Sequence, residues 1–350
     1  MEFPKTIALI KQAIAEGAYP CAAFAVGKGD EVYTRISLGD RSIWPERKPI
    51  TENTKFDMAS LSKILGPTML MLRAIEDGKV LLTDPLSRFF DPCYDKGDVT
   101  IKNLMTHTSG LYSPVGVFLR DLGIRPDEVI DFILKQPYDF PTGTQVQYSC
   151  MNYFLLAAIC EKLYGMPLDE AAEKYTFGPL GMKDTGYNPT SGDFATTEFD
   201  PGIGRYCDGF VHDENARFIG GVSGNAGVFS TLDDCIKFAA MLSKHGEGIV
   251  TKRTFEAAIR DYTPDFDESR GLGFQLYTGK PCPTGDLFSL GSYGHTGFTG
   301  TSIYVDADTG IYIVLLTNRV HPGRSNSEGV RYRRAIENCT WKELCEQGLV

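Results

Sequence analysis

The sequence predicts an α/β fold of the α+β type: a mostly antiparallel sheet flanked by helices, together with a mainly helical region. Three observations predict it. Strand-like apolar runs lie near both ends of the chain, at residues 21–26, 32–38, 302–305 and 311–316. Short turns join them pairwise, Gly27-Lys28-Gly29-Asp30 at one end and Asp306-Ala307-Asp308-Thr309-Gly310 at the other, and such turns make hairpins. Helical spacing dominates the residues between. The expected division is a sheet domain built from residues 1–65 and 266–350, and a mainly helical domain over 66–265.

In chain order, Ile7, Ile10, Ala13 and Ile14 recur at helical spacing and Gly17 stops them, so residues 6–15 form a first helix. The first hairpin follows. Residues 41–54 are polar with two prolines and read as a loop. From Ser60 the spacing turns helical through Ile75, perturbed at Pro67 and ended by Asp77-Gly78. Further helices are expected at 101–106, 127–135, 152–163, 168–175 and 232–243, the last with Asp233 and Asp234 in its first turn. Residues 187–225, rich in Gly, Asp, Asn and Thr, read as a long ordered loop. A strand at 273–276, the second hairpin and a closing helix at 328–347 complete the chain.

Composition excludes several classes. The chain has 350 residues, 42% of them hydrophobic, which suffices for a large core. Its net charge of −10 repels phosphate backbones, so nucleic acid and anionic membranes are poor partners. No apolar run approaches the roughly 18 residues of a membrane span. The N-terminus lacks a basic region followed by a long apolar core, so no signal peptide is read. The nine cysteines are scattered, odd in number and without a CxxC pair, which fits a reducing cytosol. No surface for self-association stands out.

Three short motifs carry the chemistry. In Ser60-Leu61-Ser62-Lys63 the serine and lysine are three apart on a helix. That puts their Cβ atoms roughly 5–6 Å from each other, so the amine reaches the hydroxyl. A lysine buried beside the positive end of a helix tends toward its neutral form, which can take the serine proton. The bland alternative is a helix-capping serine with a solvated lysine, and SxxK alone does not exclude it. The second motif is a turn-rich loop ending in Tyr148, a candidate proton shuttle. Alone it reads equally as a core tyrosine with a polar tip. The third is Gly294-His295-Thr296-Gly297-Phe298-Thr299-Gly300. Its glycines let backbone N–H groups approach a ligand, and a strand beside a nucleophile can supply half of an oxyanion hole. Alone it is only a glycine-rich strand entry.

Together, and in this order, they resemble a known family. Ser60-Leu61-Ser62-Lys63, Leu104-Met105-Thr106-His107-Thr108-Ser109-Gly110-Leu111, Tyr148-Ser149 and His295-Thr296-Gly297 are similar to the motifs of class C β-lactamase-like serine hydrolases. Pro179-Leu180-Gly181-Met182, Asn225-Ala226-Gly227-Val228-Phe229-Ser230-Thr231 and Leu315-Leu316-Thr317-Asn318-Arg319 extend the likeness to residues 5–345. The family includes β-lactamases, D-alanyl-D-alanine carboxypeptidases, D-aminopeptidases and esterases. The resemblance implies a β-lactamase/transpeptidase-like fold with its active site in the groove between the two domains. It makes Ser60 the nucleophile, Lys63 its partner base and Tyr148 the proton relay. It places the oxyanion hole at the Ser60 and Phe298 N–H groups, and His295, Thr296 and Gly297 against the substrate. It implies a small ester, amide or β-lactam substrate and no metal or organic cofactor.

Two positions depart from the family pattern. The tyrosine motif commonly reads Tyr-x-Asn, and here Cys150 replaces the amide with a weaker hydrogen-bonding group. The third motif commonly begins with lysine, and here His295 would be only partly charged near neutral pH. Both choose substrate rather than supply the attack. They leave a non-catalytic, penicillin-binding-like sensor as the alternative to a hydrolase. Within the hydrolases, esterase or β-lactamase-like activity is preferred to cell-wall carboxypeptidase. His107 is expected to anchor its loop. His212-Asp213-Glu214 lacks a second histidine at ligand spacing and reads as a polar loop. Neither a GxSxG elbow nor a phosphate-binding P-loop sequence occurs.

Overall fold

The computed structural model describes residues 1–113 and 118–350. One sheet organises it. Its strands are β1 (Cys21–Lys28), β2 (Glu31–Ser42), β3 (Lys48–Pro49), β4 (Gln275–Tyr277), β5 (Ser292–Thr296), β6 (Ser302–Val305) and β7 (Ile311–Thr317). They run in the order β3-β2-β1-β7-β6-β5-β4, with antiparallel pairing throughout. The central pair joins the two ends of the chain: Ala22 of β1 faces Thr317 of β7, and Lys28 faces Ile311.

Both central strands are apolar at successive positions because both faces of the sheet are covered. On one face Phe24, Val26, Ile313 and Leu315 pack with Ile10 of α1 (Pro4–Ala15) and Ile336 and Leu344 of the closing helix (Glu328–Glu346). The Glu343 carboxylate accepts the Lys5 and Thr6 N–H groups at 2.8 Å each, and so satisfies the free donors that open α1. On the other face Ala23, Ala25, Val314 and Leu316 share a core with Phe238 and Leu242 of the helix Leu232–Ser243. That core continues into the helical region, through Leu70 and Leu72 of α2 (Met69–Glu76) and Leu155 and Ile159 of α3 (Met151–Tyr164).

The structure departs from expectation in several places. The loop at 41–54 holds β3, which pairs back on β2 across a bulge between Asp40 and Ser42. The helix after Ser60 is not regular: a short turn at Ala59–Leu61 leads to a widened turn at Ile64–Thr68, and only then to α2. Pro67 lies in the widened turn, where its missing N–H is accommodated. Similarly, the helix expected at 168–175 is regular only over Leu168–Ala172. Finally, helices Glu214–Phe218 and Lys252–Ala258 were not expected, and each is opened by a side chain, Asp213 or Thr251, that accepts a backbone N–H.

Candidate active site

Ser60 sits on a backbone held from two sides. The preceding strand, Phe56–Asp57, pairs with Val228–Ser230, Phe56 facing Ser230. Ala59 then takes a φ of 45°, a left-handed conformation that its Cβ disfavours. The buried Asp57 holds this turn. Its Oδ1 accepts the Ala59 N–H at 2.8 Å, and its Oδ2 accepts the His212 N–H at 2.7 Å. Burial pushes the Asp57 carboxyl up, against these hydrogen bonds. From the sheet side the Thr299 hydroxyl donates to Asp57 O at 2.7 Å, and the Thr301 hydroxyl donates to Met58 O at 3.1 Å. Sequence reasoning passed over Asp57. Its signal was an aspartate two residues before a turn residue, the spacing of an Asx turn.

Lys63 is 0% exposed. Its Nζ donates to Ser60 Oγ at 3.0 Å and to Asn225 O at 3.0 Å, and lies 3.6 Å from Cys150 Sγ. The Asn225 carbonyl is in place because its segment is tied to the same turn, Val228 N–H donating to Ser62 Oγ at 3.0 Å. The Tyr148 hydroxyl donates to Ser60 Oγ at 2.7 Å, so the serine oxygen receives two donors. The Tyr148 ring passes 4.8 Å from Lys63 Nζ.

The electrostatics correct one expectation. Burial alone pulls the Lys63 ammonium down, as the sequence argument held. The anionic forms of Cys150 and Tyr148 pull it up, and the net direction is upward. Desolvation likewise pushes the Tyr148 phenol up, opposed by the Lys63 charge. Lysine and tyrosine therefore hold their protons as a coupled pair. At rest both are donors to Ser60.

The third motif lies on β5 and the turn after it. His295 is buried, its Nδ1 lies 2.8 Å from the Thr296 carbonyl, and that contact fixes the proton on Nδ1. Burial and the Lys63 charge hold its pKa well below the usual histidine range, so the ring is neutral. The partly charged histidine expected from the sequence is thus not found. Its ring centroid is 6.0 Å from that of Tyr148. The Gly297 N–H donates to Thr301 O at 2.7 Å, closing a turn that carries Phe298 beside Ser60. The Phe298 side chain is 48% exposed and stacks on His212.

His107 is buried, with Nδ1 accepting the Ser149 N–H at 3.2 Å and 3.1 Å from Asn152 Nδ2. Its ring lies 4.7 Å from the Tyr148 ring, so it braces the end of the tyrosine loop. His212 pairs with Glu198 at 3.1 Å.

The groove over Ser60 has two lobes. One, of about 350 Å³, is lined by Phe118, Met151, Ala226 and Asp213 among others. The second, of about 460 Å³, runs along β5 past Thr296 and Gly297 to Arg270, Arg319 and Arg333. Ser60, Tyr148, Cys150 and Phe298 line both. The structure thus gathers every residue the three motifs nominated. It adds three arginines left without a role by the motifs, although Arg319 ends the family-like segment at 315–319.

Comparison with known proteins places the chain in a family. The Beta-lactamase family model matches residues 6–337. A Bacillus subtilis protein described as N-acetylmuramyl-L-alanine amidase is 30% identical over 353 residues, covering 89% of this chain and 80% of that protein. Among solved structures, EstCE1, described as a hydrolase with promiscuous acyltransferase activity, shares the fold with a TM-score of 0.78 at 22% identity, covering 96% of this chain and 97% of its own. An octameric penicillin-binding protein homologue from Pyrococcus abyssi does so with a TM-score of 0.75 at 24% identity, over 95% of this chain and 76% of that one. The chain belongs to the Beta-lactamase family of serine hydrolases.

Proposed function

We propose that Ser60 is the nucleophile of an acyl-enzyme hydrolase acting on small esters or amides. One observation carries the reading: Ser60 Oγ lies 3.0 Å from Lys63 Nζ and 2.7 Å from the Tyr148 hydroxyl, at the floor of an open groove. Once the pair has lost a proton, it accepts the Ser60 proton as Oγ bonds to the substrate carbonyl carbon. The carbonyl oxygen then draws on the Ser60 and Phe298 N–H groups. Collapse breaks the bond to the leaving group, which takes the proton back from the pair. Water, losing a proton to the same pair, releases the acid and restores Ser60.

The substrate is a small ester, a β-lactam or a peptide-like amide. The amidase description of the Bacillus subtilis relative supports the last of these. A weakly active, penicillin-binding-like sensor is the second reading. Cys150 favours it, because a thiol stands 3.6 Å from Lys63 where the family commonly has an amide. The groove walls come from residues 1–65 and 266–350 on one side and from 66–265 on the other, which supports the two-domain division. All nine cysteines are unpaired, which supports a reducing, cytosolic setting. No helix among the described residues is long and apolar enough to cross a membrane.

The test is labelling of the folded protein with a fluorophosphonate and location of the adduct by mass spectrometry. The expected result is one adduct, on Ser60, lost in Ser60→Ala together with p-nitrophenyl acetate hydrolysis. An adduct elsewhere, or full activity in Ser60→Ala, would overturn the assignment.

A further inference from the structure

Arg270 stands just ahead of β4 with its backbone pinned. Its N–H donates to Thr263 Oγ1 at 2.8 Å, and its carbonyl accepts the Tyr262 N–H at 2.9 Å. The next residue, Gly271, lies so near Ala258 O that a Cβ there would sit 2.4 Å from it. The Arg270 side chain is buried. Its Nε and Nη2 donate to Glu268 at 3.0 and 2.5 Å, while Nη1 is buried with no hydrogen-bond partner among the described residues. A guanidinium keeps its charge at every working pH. Here the fold answers it on one side only, with a half-exposed carboxylate. A buried donor left unpaired in this way asks for a reason.

The reason lies in what the guanidinium meets. Its Cζ is 5.5 Å from the centroid of the Tyr148 ring, and Lys63 Nζ is 4.8 Å from the same centroid. Two cations from distant segments thus converge on one phenol. The rings packed around it do not offset them. His107 and His295 stand 4.7 and 6.0 Å away, and burial together with the charges of Arg270 and Lys63 holds both neutral. The charge of Arg270 also reaches Tyr153, where it opposes the upward push of burial. Cys150, 3.6 Å from Lys63 Nζ, is a neighbour that works against a phenolate at Tyr148. The carboxylates that line the groove with Tyr148 are Asp213 and Glu268. Glu268 is engaged by Arg270, and Asp213 Oδ1 accepts the Ala216 N–H at 2.7 Å.

We infer that Arg270 is a positioning residue for proton transfer: its fixed cation behind the Tyr148 ring makes the phenol, not the Lys63 ammonium, the member of the pair that gives up a proton. The inference rests on Ser60 being the nucleophile and names the residue that sets the state of its base. In a site shielded from water a nearby cation favours an anion strongly. The Tyr148 O–H releases its proton to water in the groove. The phenolate then takes the Ser60 proton as Oγ bonds to the carbonyl carbon, and passes it to the leaving group as that bond breaks. Lys63 stays an ammonium throughout and Arg270 exchanges no proton.

The test reads Tyr148 directly. Phenolate absorbance at 295 nm is titrated for the wild type and for Tyr148→Phe, and the difference isolates Tyr148. The same subtraction is made in Arg270→Gln, Arg270→Lys and Glu268→Gln backgrounds. The Tyr148 midpoint is expected to rise by one pH unit or more in Arg270→Gln. Arg270→Lys, which keeps the charge and loses the fork, is expected to return it to within about half a unit of the wild type. Glu268→Gln, which removes the counter-charge, is expected to lower it. The alkaline rise of kcat/KM for p-nitrophenyl acetate should follow the midpoint in each protein. An unmoved midpoint in Arg270→Gln would overturn the role. So would a kcat/KM that rises while Tyr148 stays protonated, because the proton would then come from Lys63. Should Arg270→Gln not fold, Glu268→Gln decides: a midpoint that does not fall overturns the role. Absence of turnover and of a Ser60 adduct in the wild type would instead overturn the catalytic reading beneath it, with the titration still reporting the charge.

Discussion

Gly297 lies against the Met58 carbonyl so closely that a Cβ at Gly297 would sit 2.5 Å from Met58 O and would collide with Thr301 Oγ1. Met58 is two residues before Ser60. The absent side chain is thus what lets the β5 end of the sheet close on the turn that carries Ser60. Through that contact the sheet hydroxyls of Thr299 and Thr301 reach Asp57 O and Met58 O.

Gly297→Ala should therefore separate the two walls of the groove. The backbone conformation itself is open to alanine, so the effect is steric. Overpacking of this kind costs about 1–3 kcal/mol. The expected outcome is a fall in melting temperature and a loss of p-nitrophenyl acetate turnover of at least 100-fold. The larger loss is in kcat, because the Ser60 and Phe298 N–H groups move apart. Thermal melts and steady-state kinetics check this. Wild-type kcat in the variant would show that the contact does not set the site.

The pH dependence follows from the coupled pair. Lys63 and Tyr148 are both held above their ordinary ranges, so the proton that must leave before attack leaves only on the alkaline side of neutrality. His107 and His295 are held well below theirs and stay neutral across the working range. Accordingly, kcat/KM for p-nitrophenyl acetate should rise steadily from about pH 6 to pH 9, with no ascending limb near the ordinary histidine value of about 6.5. Corrected initial rates across that range test it. A plateau from pH 7 upward would assign the base to a group of lower pKa.

The sequence displayed what is local and hid what is assembled. Ser60 and Lys63 were legible because a spacing of three puts them on one face of a helical turn, and the structure keeps them at 3.0 Å even though the turn is irregular. The β1 and β7 strands were legible because burial on both faces leaves uninterrupted apolar runs. By contrast β5 gave no strand signal: Ser292, Gly294 and His295 are buried there by the sheet and the groove, not by their own hydrophobicity. The proton affinity of Lys63 was misjudged because the groups that oppose its desolvation, Cys150 and Tyr148, enter from a loop more than 80 residues away. The same distance problem hid the place of Arg319 and Arg333 at the groove, although Arg319 ends the family-like segment at 315–319. Each looks like an ordinary surface arginine until β7 and the closing helix meet at the groove.

Cys150 offers a direct test of substrate choice. Its Sγ is 3.6 Å from Lys63 Nζ, a long and weak contact for a thiol. An asparagine there would give the lysine a firm acceptor and turn an N–H toward the groove, which Cys150 lines. Cys150→Asn is therefore expected to raise acylation by a chromogenic cephalosporin about tenfold, with a smaller effect on the acetate ester. Stopped-flow acylation rates decide. Equal rates for both proteins would show that the missing amide does not limit acylation by a β-lactam.

Glu337 carries the clearest stability prediction. It is fully buried in the closing helix, with Oε2 accepting the Gly285 N–H at 2.5 Å and the Thr284 hydroxyl at 3.0 Å, while Oε1 has no protein partner. Burial raises its pKa from 4.5 to about 7. Between those values the folded chain holds a proton that the unfolded chain has released, so stability falls as pH rises through this window and stays lower above it. The whole effect is roughly 3–4 kcal/mol, at about 1.4 kcal/mol for each pH unit of the window. Glu337→Gln mimics the protonated side chain at every pH. Relative to the wild type, the variant should thus gain stability between pH 5 and pH 8, while at pH 5 the two differ little. Urea unfolding at both pH values measures the difference directly. A gain of the same size at pH 5 as at pH 8 would show that Glu337 does not change protonation between them and would overturn the raised pKa.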